Sequence, residues 1–99
     1  MVNRPIHWDR IALKQFADAI GFFARDSIQN AEQVHLEIIN KIEALPANPE
    51  IYPADKYKLN NNGLYRALEP HRLRIAYYIA SDKVRILQVR HSSRQPKIY

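Results

Sequence analysis

The hydrophobic period of this chain changes once, at Gly63, and that single change limits the folds open to it. Before Gly63 apolar residues recur every three or four positions, and after it they alternate one by one. The first period builds helices with one apolar face and the second builds strands with one apolar face. A helical block followed by a strand block points to an α+β fold, with the helices laid on one face of an antiparallel sheet. At 99 residues the chain is long enough for one such two-layer core, because domains run to roughly 100–200 residues, so 1–99 is read as a single domain.

In the helical block, Leu13, Phe16, Ile20 and Phe23, with Ala17 and Ala24 beside them, form the expected buried stripe of a helix over Arg10 to Arg25, and Asp9 offers its N-cap. Gly21 either costs this helix about 1 kcal/mol relative to alanine or admits a close neighbour. Ser27 caps a second helix whose stripe is Ala31, Val34, Ile38, Ile42 and Leu45, and Pro46 ends it. Amphipathic helices joined this closely lie antiparallel, so the pair is an αα-hairpin turned to one core.

Ahead of the hairpin, Val2 to Trp8 carries Pro5 and suits an edge strand. Pro5 hinders pairing along one edge of that strand, which leaves the opposite edge of the sheet as the expected place for a partner to add a strand. Pro46, Pro49 and Pro53, then Asn60, Asn61, Asn62 and Gly63, make residues 46 to 63 a connector rich in turn formers. It exceeds the roughly 12–15 residues beyond which connectors are often functional, and it holds Lys56, Tyr57 and Lys58. Three strands follow, Leu64 to Glu69, Arg72 to Ala80 and Val84 to Arg90, in a meander. In the middle strand Leu73, Ile75, Tyr77 and Ile79 share one face, while Arg72, Arg74, Ala76 and Tyr78 share the face expected to meet water. The order is therefore β-α-α-β-β-β.

Charge is distributed unevenly over this order. The formal net charge is +5, yet residues 1 to 63 carry seven Lys/Arg against eight Asp/Glu, while residues 64 to 99 carry eight against two. A positive field concentrated in the last third points to a polyanion or an acidic protein segment as partner. No apolar run reaches the roughly 18 residues of a membrane span, and the start MVNRPIHWDR lacks the apolar stretch of a signal peptide, so the cytoplasm is expected and no membrane is.

The absence of cysteine excludes disulfide scaffolds, zinc ribbons and thiol nucleophiles. The chain has no phosphate-binding glycine loop, no His-Glu-x-x-His helix and no Gly-x-Ser-x-Gly elbow. His7, His35, His71 and His91 lack metal-ligand spacing, so neither a metal nor a cofactor is expected. What remains is a cluster on the open sheet face and in the tail RHSSRQPKIY: Arg72, Arg74, Tyr78, Arg90, His91, Arg94, Lys97 and Tyr99, with His71 at a strand end. Such groups can cleave RNA without metal, His and Tyr trading protons while Arg holds phosphate. They can equally bind an acidic surface without any chemistry.

The element order, the hairpin string ARDSIQNAEQVHLEIINKIEALPANPEIYP, the strand pair HRLRIAYYIASDKVRILQVRH and the exit RHSSRQP together resemble the RelE/ParE superfamily of bacterial type II toxins. The resemblance implies a growth-inhibiting toxin encoded beside an antitoxin, which wraps a disordered segment around it, neutralises it and supplies the contacts to operator DNA. ParE-like members poison DNA gyrase, and RelE-like members cut messenger RNA on the ribosome. The hairpin string and the exit look closer to ParE. Arg74 resembles a catalytic RelE arginine and Tyr99 the tyrosine near the RelE end, so a RelE-like chain would use Arg74, His91, Arg94 and Tyr99. The short basic run that follows the last RelE strand is missing, with Arg90 and Arg94 as approximate substitutes. Lys56, Lys58 and Arg66 are not secure counterparts of the RelE lysines. A ParE-like chain would meet its target through Arg72, Arg74, Arg90, His91, Arg94, Lys97 and Ile98.

Overall fold

The computed structural model describes residues 4–93 and 97–99. Strand β1 (Ile6–Trp8) leads into helices α1 (Arg10–Ala24) and α2 (Ile28–Glu43), and strands β2 (Tyr65–Leu68), β3 (Leu73–Ile79) and β4 (Val84–His91) follow. The sheet order is β1-β4-β3-β2, with the two helices packed on one face as an α+β fold. β2, β3 and β4 form the expected antiparallel meander, whereas β1 pairs parallel with β4, so the sheet is mixed. The strand directions explain the long connector. The hairpin returns the chain to the end of the sheet where β1 finished, and β2 runs the same way as β1, so the chain must cross back before β2 can begin.

Ser27 opens α2 by accepting the Asn30 amide at 3.1 Å, and Ala31, Val34, Ile38, Ile42 and Leu45 are all buried, as their spacing required. α1 is turned from the expected stripe. Ala12, Phe16 and Ala19 are its buried residues, while Leu13 is 52% exposed and Ile20 and Phe23 are only partly buried. Two alanines on the inner face let α1 approach β4 and α2 closely, and that contact outweighs the larger side chains one position on. Gly21 marks no close approach, because a Cβ there would meet nothing within 4 Å. Asp9 stands at the N-cap of α1 without capping it, its carboxylate being taken by Arg85 of β4 at 2.7 Å.

The helix-facing side of the sheet carries Leu68, Leu73, Ile75, Tyr77, Ile79, Val84, Ile86 and Val89, all buried. Ile86 and Val89 share that side although they are three apart, because the pairing shifts between Ala76–Gln88 and Tyr77–Ile86 and leaves Leu87 as an extra residue. The opposite face is not simply open to water as its polar composition suggested. Segment 53–55 lies along the β2 edge through Ala67 N to Pro53 O at 3.3 Å and Asp55 N to Tyr65 O at 2.8 Å, and it reaches under that face. The same two bonds occupy the edge that the sequence had left for a partner.

Candidate functional site

The connector is held down residue by residue. Tyr77 donates its hydroxyl to Pro49 O at 2.6 Å, and burial pushes that hydroxyl's pKa up to about 12. Arg66 donates to the carbonyls of Gly63, Glu50 and Tyr52, so this cation is committed to backbone. Asn61 binds the Asp55 and Tyr65 carbonyls and accepts from Gly63 and Tyr65, closing a turn in which Asn60 and Gly63 have positive φ. A stretch this rich in turn formers is ordered because its backbone groups find side-chain partners.

These bonds deliver Asp55 to the second sheet face, where it is 2% exposed. Ala67 and Ala76 pair across the face there and are buried, and their small side chains leave depth for it. Its carboxylate accepts from the Tyr57 amide at 3.0 Å, from Arg74 Nη2 at 2.5 Å and from the Tyr99 hydroxyl at 2.6 Å. Burial alone would raise its pKa, but the bonds from Tyr99, the Tyr57 amide and Arg74 outweigh it and hold the carboxyl below its ordinary value. Tyr99 is pushed far upward by burial and by the charge of Asp55, so its hydroxyl stays protonated at neutral pH. Arg74 also pairs with Glu69 and lies over the Tyr57 ring at 4.8 Å.

The tail closes over this group. Tyr99 N donates to Tyr57 O at 2.9 Å and Leu59 N donates to Tyr99 O at 2.6 Å, a short strand-like pairing of the tail with the connector. Lys58 reaches Tyr99 O at 3.3 Å and sits over the Tyr65 ring at 4.8 Å, while Tyr65 packs on Tyr78 at 4.6 Å and edge-on to Tyr99.

Of the residues singled out from sequence, Arg74, Arg90, His91, Lys97 and Tyr99 line one cleft together with Asp55, Tyr57, Gln88 and Ser92. Its volume is ≈ 20 Å³, room for about one water and too little for a nucleotide. Arg72 stands outside it, at a strand corner where its own φ and that of His71 are positive and His71 meets Glu37 at 2.5 Å. Ile98 is 65% exposed beside the cleft residue Lys97. His91 also stands edge-on to Phe22 at 5.3 Å, which ties it to α1. Arg94 lies outside the described residues. Asp55, the organising residue, was missed. Its one sequence signal is an acid alone among Lys56, Tyr57 and Lys58 in a connector too long to be a plain link.

Three comparisons bear on kinship. The family model described as the ParE toxin of the type II toxin-antitoxin system parDE matches residues 6–96. No curated protein matches the chain. Among solved structures, a chain of the chromosomal ParDE TA system from P. aeruginosa superposes with a TM-score of 0.66 at 15% identity, covering 90% of this chain and 96% of that one, which speaks for the fold. A match over residues 6–96, on a fold with the same parts, means that the chain belongs to the ParE toxin family of type II toxin-antitoxin systems.

Proposed function

We propose that this toxin arrests growth by binding DNA gyrase in the cytoplasm, and that it does so as a binder with no catalytic step of its own. The observation that carries this reading is the Asp55 clamp. Metal-free RNA cleavage needs a base or acid free to exchange protons and a cation free to meet phosphate. Here the Tyr99 hydroxyl is already donated to a buried carboxylate and its pKa is raised, so it is a poor base. Arg74 is neutralised by Asp55 and Glu69 together. The cleft between them, as folded, holds about one water.

What stays available is a surface. Arg90, His91, Lys97 and the exposed Ile98 flank the docked tail, a mixture of cations around an apolar residue that suits a protein partner. Neutralisation falls to a cognate antitoxin, for which α1 and α2 offer a largely apolar groove of ≈ 510 Å³ lined by Ile20, Ala24, Ile28, Ala31, His35 and Leu36 together with Glu32. Ile28 and Leu36 are 68% and 59% exposed there, the pattern of an amphipathic helix seat. The antitoxin would carry the contacts to operator DNA.

The decisive experiment places the purified toxin on gyrase supercoiling with ATP, and on ribosomes carrying a defined message. Blocked supercoiling or trapped cleaved DNA, with intact message, is the expected result. Message cut in the ribosomal A site with normal supercoiling would refute the proposal in favour of an endoribonuclease.

A further inference from the structure

Two segments far apart in the chain are tied into one small ribbon, and the tie is made of main-chain bonds. Tyr99 N donates to Tyr57 O and Leu59 N donates to Tyr99 O, so both polar groups of the Tyr99 backbone are taken up by the connector. Lys58 Nζ donates to the carbonyls of Leu59 and Tyr99 as well, and the Tyr99 hydroxyl ends on the buried Asp55 carboxylate. The tail from Lys97 to Tyr99 is therefore fixed when the chain folds, with Asp55 as the residue that positions it. A partner that binds there has no segment of this chain left to order.

The ribbon combines two features that a solvated loop does not need. Leu59 and Ile98 are 59% and 65% exposed, and each stands within one residue of the two bonds. Large apolar side chains held in place in water are the anchors of protein interfaces. Lys56 and Lys58 flank Leu59 on the connector, while Lys97 and Arg90 line the cleft beside Ile98. Among the described residues none of these four cations meets a carboxylate, whereas Arg74 and Arg85 are paired with acids. The one acid in residues 55–60 and 97–99, Asp55, is buried and already bound. Apolar anchors ringed by unpaired cations are complementary to an acidic protein segment, which gains burial from the first and orientation from the second.

We infer that the ribbon of residues 57–59 and 97–99 is the surface through which this toxin grips its target, and that the target offers it an acidic segment whose apolar side chain lies against Leu59 and Ile98. The inference rests on the gyrase reading above and deepens it, because it chooses the surface and the chemistry of the segment. The partner is the gyrase protein and not the DNA it holds, since a phosphate backbone has no complement for two apolar anchors.

The test mixes the full chain with purified gyrase. On the unmutated chain, hydroxyl-radical footprinting should show Leu59 and Ile98 shielded by gyrase, and Ile11, 60% exposed on α1, oxidised as before. In calorimetry Leu59→Asp and Ile98→Asp should each weaken binding at least about tenfold, with Tm nearly unchanged because both side chains are exposed. Lys56→Glu should weaken it several-fold, more so at low salt than at high salt. Arg10→Glu, at an exposed position on α1, should leave it unchanged, which separates the local charge from the net charge. If gyrase binds while Leu59 and Ile98 stay open to oxidation, the surface assignment is wrong and the gyrase reading survives. If gyrase does not bind the native toxin at all, the reading beneath fails and takes the inference with it. Shielding of both residues by duplex DNA alone would overturn the inference in favour of a nucleic acid. The footprint needs only the native chain, so misfolding of a variant cannot spare the idea.

Discussion

Replacing Asp55 by asparagine keeps the shape of the side chain and removes only its charge. The native carboxylate holds three donors, the Tyr57 amide, Arg74 Nη2 and the Tyr99 hydroxyl. Removing one partner of a buried ion pair costs about 3–5 kcal/mol. Two features bring the figure below that range: the amide oxygen still accepts, at roughly half the strength of a charged acceptor, and Arg74 keeps Glu69. We expect Asp55→Asn to destabilise by about 2–3 kcal/mol, which in a domain of this size lowers Tm by roughly 10–20 °C. Glu69→Ala is the control. Its side chain is 52% exposed, and surface pairs contribute about 0–1 kcal/mol.

The pH dependence gives the charge a separate signature. The native Asp55 carboxyl titrates below its unfolded value of 3.8, so its contribution is complete above that value and is lost as pH falls through the lower native one. Urea unfolding of both proteins should show a constant gap between about pH 7 and 5 that closes at lower pH. A gap under about 1 kcal/mol at neutral pH, or one unchanged at the acid end, would refute the reasoning.

Tyr99→Phe keeps the ring and should cost roughly 1.5 kcal/mol through the lost bond to a charged acceptor. Growth arrest per folded molecule should nonetheless stay within a few-fold, and a loss on the order of 10²-fold would indicate acid–base catalysis instead. Ile38→Ala, fully buried on α2, should cost about 2–5 kcal/mol in chemical denaturation. Gly21→Ala should stabilise by roughly 0.5–1 kcal/mol, because the added methyl meets nothing and the helix gains propensity. Leu36→Asp should leave Tm nearly unchanged and weaken antitoxin binding in calorimetry at least tenfold, since Leu36 lies exposed in the hairpin groove.

Sequence by itself determined the parts that depend on local period and local caps. The stripe from Ala31 to Leu45, the Ser27 cap, the buried set Leu73, Ile75, Tyr77 and Ile79, and the edge position of β1 all follow from spacing and residue type. A helix face or a strand face is set by neighbours within a few residues, and those are written in order. Tertiary structure alone decided what depends on contacts between distant residues. α1 turned toward Ala12 and Ala19 because close packing rewards small residues, a preference that hydrophobicity does not display. β1 paired parallel with the last strand, which no local signal encodes. The second face was covered because residues 53–59 and 97–99 meet there, more than forty positions apart in the Asp55–Tyr99 bond. A buried carboxylate needs its donors delivered from three places at once, from Tyr57, Arg74 and Tyr99, and only the folded chain brings those places together.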